Sequence, residues 1–156
     1  SHFRNLKDDQ IIEIKKSQGL IGLNPYPFFI DSSFKKKEER FLKKFKSELD
    51  QITHEQPNPT AAWIAKQHYL QKKLNDIVPL LDIFIDHIEY IIKLIGVDYV
   101  GIGSDYDGLD CLPQGWKDCL DHIKIAEALE NRGYSAVDIE KVMGQNILRV
   151  LDLVSS

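Results

Sequence analysis

A short apolar run that ends in two carboxylates constrains this chain more than any other segment. Residues 97–108 read Val-Asp-Tyr-Val-Gly-Ile-Gly-Ser-Asp-Tyr-Asp-Gly. Val100 and Ile102 alternate with glycines, which predicts a buried strand whose other face needs small residues. Asp105 falls where that strand gives way to a loop. Because ligands of α/β proteins bind at the carboxyl ends of strands, Asp105 is a candidate for acid–base or metal chemistry.

Periodicity predicts helices around this strand and one further strand. The predicted helices cover about 6–16, 33–53, 61–74, 79–95, 116–131 and 135–151, and the other strand covers 19–24. A strand that follows a helix suits a parallel sheet with crossover helices. Two parallel strands make a poor sheet, because each exposes an unpaired edge. We therefore expect the chain to be part of a larger α/β fold, its C-terminal part.

Composition and net charge limit the kinds of molecule that the chain is expected to bind. The 156 residues suit one domain, and a hydrophobic share of 43% is ordinary for a globular protein. A formal net charge of −4 gives no support for nucleic acid as a partner, which would require a basic excess. We expect no signal peptide and no membrane span, because residues 1–10 are polar and no apolar stretch is long enough. Cys111 and Cys119 could close a small disulfide or remain thiols, so the compartment stays open.

Two common interpretations of Asp105-x-Asp107-Gly108 fail on spacing. An EF-hand loop that begins at Asp105 needs Gly and Glu where this chain has Asp110 and Trp116. A dinucleotide-binding fingerprint needs a third glycine where Tyr106 stands. Neither a calcium loop nor a nicotinamide site is therefore expected.

Other interpretations stay open at this point. A phosphotransferase of the haloacid-dehalogenase type also ends an apolar strand in Asp-x-Asp-Gly, with Asp105 as nucleophile and Asp107 as general acid. That motif normally stands on the first strand of its domain, whereas only two predicted helices follow it here. The two carboxylates could instead only cap the next turn. A non-enzymatic helical interaction module, whose apolar helices need a partner, is a further alternative.

Several separate blocks of sequence favour one of these functions over the others. The blocks are Phe3-Arg4-Asn5-Leu6, Asp8-Asp9-Gln10, Gly22-Leu23-Asn24-Pro25-Tyr26, residues 86–98, residues 100–108, Leu112-Pro113-Gln114-Gly115 and residues 144–150. In order and spacing the chain resembles the membrane (renal) dipeptidase family of the amidohydrolase superfamily. Residues 32–75 resemble a helical insertion seen in some bacterial branches. Several blocks that match in the same order and spacing identify a family more specifically than any single motif does.

The resemblance implies a fold and a set of site residues. The family fold is a TIM-like (β/α)8 barrel, so residues 1–156 would form its C-terminal portion, with about strands 7 and 8 and predominantly helical. Asp105 matches the catalytic aspartate that ends the eighth strand and handles the proton of the metal-bridging water. Arg4 matches the arginine that grips the dipeptide carboxylate. Tyr26 is a candidate for lining the substrate pocket, and Asp107 is expected to fix the loop.

The resemblance also implies zinc, but not within this chain. Family members hold two zinc ions through residues on earlier strands, which would lie before residue 1. The five histidines do not replace those ligands and are expected as surface or packing residues: His2, His54, His68, His87 and His122. We therefore expect no metal site and no dipeptidase activity in the chain alone. The expected partners are a dipeptide substrate and the missing N-terminal part of the barrel, and a homodimer is also compatible.

Overall fold

Two short parallel strands lie at the centre of the fold. The computed structural model describes residues 2–155, except for the side chains of Gln71 and Asp107. Strand β1 (Ile21–Leu23) pairs with β2 (Val100–Ile102), and Ile21 lies opposite Val100. This pairing confirms the predicted strands and their parallel order.

Helices make up most of the rest of the described chain. They are α1 (Asp8–Lys16), α2 (Pro27–Ile30), α3 (Phe34–Lys44), α4 (Lys46–His54), α5 (Pro59–Leu74), α6 (Leu81–Ile95), α7 (His122–Asn131), α8 (Ala136–Glu140) and α9 (Asn146–Ser155). The chain is therefore a helix-rich α/β structure, as expected. None of the described helices is long and apolar enough to cross a lipid bilayer.

The main core forms around α6. Its buried face carries Phe84, Ile85, Ile88, Ile91 and Ile95, each at most 4% exposed. These residues recur at helical spacing, so one face of α6 packs against the strands and the helices α1 and α7. Burying each such side chain contributes about 1.5–3 kcal/mol to folding. The predicted helix over 79–95 is thus the largest single contributor to this core.

A second, smaller core lies within the helices α3 to α5. Its buried side chains are Phe34, Phe41, Leu74 and Val78. Cys111, from the loop after β2, packs against this cluster. The region predicted as a helical insertion therefore has hydrophobic packing of its own and touches the loop that follows Asp105.

The predicted helix over 33–53 is wrong in one respect, because it is two helices. The chain breaks between α3 and α4 at Phe45, whose backbone leaves the helical region at φ −102° and ψ 17°. The Phe45 ring packs on Phe41, with ring centroids 4.7 Å apart, a contact between residues i and i+4 that a continuous helix also allows. Hydrophobic periodicity continues through the break, so it does not report where one helix ends and the next begins.

The predicted helix over 116–131 begins later, at His122. Before it, the Asp118 carboxylate accepts from Leu120 N at 2.9 Å and the Asp121 carboxylate accepts from Lys117 N at 2.6 Å. Aspartate side chains that bond nearby backbone N–H groups favour turns over helix. The segment 116–121 is therefore a capped turn with a short 3₁₀ segment.

The last predicted helix is interrupted by a kink at Gly144, whose backbone, at φ 174° and ψ −31°, is not helical. Its first part begins as expected, because Ser135 caps α8 by accepting from Asp138 N at 3.2 Å. The interruption directs buried Asn146 toward the strands. Its Nδ2 donates to Val97 O at 2.7 Å and to Val100 O at 2.8 Å. A polar anchor to β2 thus accounts for the broken helix.

Glycine is required at one end of the strand pair. Gly103 N donates to Leu23 O at 2.9 Å, so the two backbones stay paired one residue beyond the strands. A Cβ on Gly103 would lie 2.8 Å from Gly22 O. A Cβ on Gly22 would meet nothing closer than 3.6 Å, and the same holds for Gly101. The small-residue requirement predicted for this strand is therefore strict only at Gly103.

We expect Gly103→Ala to destabilise the fold by about 1–3 kcal/mol, because the new methyl must push the two backbones apart. Gly22→Ala is the matched control and is expected to change stability by less than about 0.5 kcal/mol. Urea denaturation followed by far-UV circular dichroism measures both. Equal midpoints for the two variants would contradict this account.

The two cysteines are free thiols in the structure, and only Cys119 is exposed. Burial, with smaller contributions from Asp110 and Glu38, raises the pKa of Cys111 to about 12. At pH 8 such a thiol is ionised to about one part in ten thousand, and the thiolate is the nucleophile. The two cysteines should therefore differ sharply in reactivity.

We expect iodoacetamide at pH 8 to modify Cys119 and to spare Cys111 in the folded chain. Mass spectrometry of the intact protein should show one adduct. The Cys119→Ser variant should show none until it is denatured, when one appears. Comparable rates at both cysteines in the folded chain would refute the assigned burial of Cys111.

Candidate active site

The parallel strands bring two polar side chains together where they end. Asn24 follows β1 and Asp105 follows β2 by a short loop. Asn24 Nδ2 donates to Asp105 Oδ2 at 2.9 Å. Parallel pairing makes this contact between residues that lie 81 apart in the chain. The expected position of Asp105, in a loop at the carboxyl end of a strand, is therefore what the structure shows.

The backbone around Asp105 is held in an unusual conformation. Asp105 is left-handed, with φ 54° and ψ 38°, which few residues other than glycine adopt. A 3₁₀ turn, Tyr106–Gly108, follows and closes when Gly108 N donates to Asp105 O at 3.0 Å. A Cβ on Gly108 would lie only 2.5 Å from Asp105 Oδ1. The Asn24 amide thus binds the carboxylate, and the absence of a side chain at Gly108 leaves the space that Asp105 Oδ1 occupies.

Arg4 presents its guanidinium beside an aromatic ring. Its Cζ lies 5.2 Å from the centroid of the Phe29 ring. Asn5 Nδ2 donates to Phe29 O at 2.8 Å, which ties the N-terminal segment to α2. Stacking uses the face of the guanidinium, whereas its N–H donors lie at the edge. That edge is the part of arginine that binds a carboxylate in bidentate fashion.

Tyr26 also contacts the Phe29 ring. Its ring meets Phe29 edge-on at 5.2 Å, and Tyr26 N donates to Asn24 Oδ1 at 2.9 Å. Burial, then the nearby charges of Asp110, Cys111 and Glu38, raise the pKa of Tyr26 to about 12. The Tyr26 hydroxyl therefore keeps its proton at neutral pH and can donate a hydrogen bond.

These contacts connect all three sequence-predicted site residues. Arg4 and Tyr26 share Phe29, and Tyr26 is linked to Asp105 through Asn24. Phe29 and Asn24 were not among the predicted site residues. The signal for Asn24 was available, since it stands at the carboxyl end of a predicted strand, as Asp105 does. The role of Phe29 depends on tertiary packing and has no local signal.

A groove of about 990 Å³ lies beside β1. Its walls include Arg4, Asn24, His87 and Tyr90, and consecutive β1 residues also line it. Consecutive strand residues point to opposite faces, so the groove follows the strand edge that does not pair with β2. That edge offers unpaired backbone N–H and C=O groups next to Arg4.

The described residues do not fit a zinc centre. Between residues 2 and 155, apart from the two side chains noted above, no three His, Cys, Asp or Glu groups lie close enough to hold a metal ion. Two histidines in helical segments make packing contacts: His87 Nε2 lies 2.9 Å from Ile30 O, and His122 Nε2 lies 2.8 Å from Tyr106 Oη. The Asp107 side chain lies outside the described part, so its expected loop-fixing role stays a prediction.

Comparison with known proteins gives a consistent set of relatives. An uncharacterized dipeptidase of Schizosaccharomyces pombe is 27% identical over 150 residues, which cover 96% of this chain and 26% of that protein. The dipeptidase ataJ of Aspergillus terreus is 46% identical over 70 residues, 45% of this chain and 17% of ataJ. These two relatives are fungal, so the resemblance of residues 32–75 to an insertion of some bacterial branches stays a prediction. The chain spans about a quarter of the S. pombe protein's length.

A solved structure agrees with the sequence relatives. The probable dipeptidase PvdM from Pseudomonas aeruginosa superposes with a TM-score of 0.60 at 30% identity, over 94% of this chain and 40% of that chain. Residues 1–156 match the family described as Membrane dipeptidase (Peptidase family M19). Because this match covers the whole sequence, the chain belongs to the membrane dipeptidase family.

Proposed function

We propose that this chain is the C-terminal part of a (β/α)8 barrel, and that the parent protein hydrolyses the peptide bond of dipeptides. The observation that carries this proposal is the Asn24–Asp105 hydrogen bond at the ends of paired parallel strands. A carboxylate held at the carboxyl end of a strand supports this proposal, because barrel enzymes carry their chemistry at that end. Membership of the dipeptidase family supports hydrolysis over a phosphotransferase or a purely structural module.

Asp105 is proposed to hold and move a proton. Hydrolysis of a peptide bond needs a proton taken from the attacking water and given to the leaving amine. A carboxylate serves when its oxygens are held in one orientation, and Asp105 is held by Asn24 and by the turn that ends at Gly108. Positioned acid–base groups of this kind contribute about 10²- to 10⁴-fold in rate.

Arg4 is proposed to bind the free carboxylate of the dipeptide. The Arg4 guanidinium lies over the Phe29 ring, and its N–H donors suit bidentate binding of a carboxylate. Tyr26, whose ring contacts Phe29 edge-on, is proposed to border the pocket. An arginine at this position would favour substrates with a free carboxylate one residue from the scissile bond, which every dipeptide has.

The zinc that the family resemblance implies belongs to the proposal for the whole protein. Bound zinc would acidify the attacking water, and its ligands would come from residues outside this chain. The free edge of β1 is proposed to receive the preceding barrel strand along the groove beside Arg4. The chain alone is therefore expected to have no dipeptidase activity.

We expect Asp105→Asn in the full-length protein to lower kcat at least about 100-fold with little change in KM, because it removes the proton acceptor. Release of free amino acids from a dipeptide is the assay, and the isolated 156-residue chain should show no turnover in it. Asp50→Asn, an exposed carboxylate on α4, is the control and should leave kcat unchanged. Wild-type activity of Asp105→Asn would overturn the assigned role.

We expect Arg4→Lys to raise KM for dipeptides about tenfold, because an ammonium cannot form the bidentate contact. The test compares each dipeptide with its C-terminal amide, which lacks the carboxylate. Wild type should prefer the free dipeptide, and Arg4→Lys should lose most of that preference while hydrolysing the amide as before. An unchanged preference would exclude Arg4 as the carboxylate-binding residue.

A further inference from the structure

Tyr106, in the turn that follows Asp105, is hydrogen-bonded to two other aromatic rings. Trp116 Nε1 donates to Tyr106 Oη at 2.8 Å, and Tyr106 Oη lies 2.8 Å from His122 Nε2. The Tyr106 and His122 rings stack with centroids 5.8 Å apart and planes 21° from parallel. Trp116 is 3% exposed and belongs to the main core. We call Trp116, Tyr106 and His122 the ring relay.

The chemistry of the three groups points to one direction for these hydrogen bonds. An indole N–H can only donate, so the Tyr106 oxygen accepts from Trp116. The Tyr106 hydroxyl keeps one proton to donate, and His122 Nε2, 2.8 Å away, can accept it. In that arrangement the imidazole carries its own proton on Nδ1. With the proton on Nε2, two donors would point at the Tyr106 oxygen and its hydroxyl proton would lose this partner.

The ring relay is coupled to Asp105 through one peptide bond. Tyr106 is the residue after Asp105 and the first of the turn that ends at Gly108. Asp105 holds a left-handed conformation. A rotation of the neighbouring Tyr106 backbone would change where the Asp105 carboxylate points. The turn closes by the bond from Gly108 N to Asp105 O, which lies next to the anchored ring. Fixing the Tyr106 side chain therefore fixes the Asp105 backbone.

We propose that Tyr106 is a positioning residue for Asp105, held by a relay that runs from Trp116 through the Tyr106 hydroxyl to a neutral, Nδ1-protonated His122. This proposal rests on the proposed role of Asp105 in dipeptide hydrolysis. Tyr106 acts through Asp105 and not on the substrate. Loss of its hydroxyl should therefore slow the chemical step without weakening substrate binding.

Nitrogen NMR of the full-length protein, labelled with ¹⁵N-histidine, tests the relay. His122 is assigned by comparison with His122→Gln. In the wild type, His122 should be the Nδ1–H tautomer. In Tyr106→Phe, which keeps the ring and removes the hydroxyl, His122 should shift toward the Nε2–H tautomer that free imidazole prefers. A wild-type His122 protonated on Nε2 would overturn the proposal.

Kinetics of the same variants test positioning. Tyr106→Phe should lower kcat for a dipeptide about tenfold, with KM within about twofold of wild type, because a small misplacement of a reacting group is costly. His122→Gln supplies a carbonyl acceptor near the place of Nε2 and should retain most of kcat, whereas His122→Leu should match Tyr106→Phe. Equal kcat for wild type and Tyr106→Phe would refute positioning.

Tyr134→Phe is the matched control, because it removes a hydroxyl that bonds Glu89, away from this turn. It should change neither the His122 tautomer nor kcat. These experiments also distinguish a failure of the positioning role of Tyr106 from a failure of the catalytic role of Asp105. If Asp105→Asn kept full activity, the catalytic role would fail, while the His122 tautomer would still report whether the relay exists.

Discussion

The close approach of two backbones at Gly22 and Gly103 is the constraint on which the rest of the structure depends. It lets β1 and β2 pair in parallel, so that both strands end at the same edge. Parallel order then places Asn24 against Asp105 across a long stretch of intervening chain. A side chain on Gly103 would separate the backbones at the point where the candidate site begins. Fold and site therefore share one steric requirement.

Trp116 connects the main core to the candidate site. Trp116 packs edge-on against Phe84 of α6, with ring centroids 5.2 Å apart, and its indole N–H bonds Tyr106. Close packing holds a buried ring in one rotamer, so its N–H direction is fixed as well. A hydrophobic contact made for stability thus also orients a polar group behind Asp105. Buried residues of the core thereby help to fix the position of the exposed Asp105 carboxylate.

Local sequence patterns predicted the strands and helices whose formation depends mainly on hydrophobic periodicity. Alternating apolar residues located the strand before Asp105, and helical spacing located α6. The late start of α7 depends on how Asp118 and Asp121 bond nearby N–H groups, which periodicity does not report. The Asn24–Asp105 bond joins residues 81 apart, and the ring relay joins residues 10 and 16 apart that belong to different elements. Only the folded chain reveals these bonds.

The helices α3 to α5 have a consequence for how the sheet assembles. They lie between β1 and β2, so the pairing of the strands must close a loop that contains them. The entropy of closure rises only logarithmically, by about 0.6 kcal/mol for each doubling of loop length. Their own buried core, with Phe34 and Phe41 at its centre, offsets more than that. The closure entropy that these helices add to the pairing of the strands is therefore small.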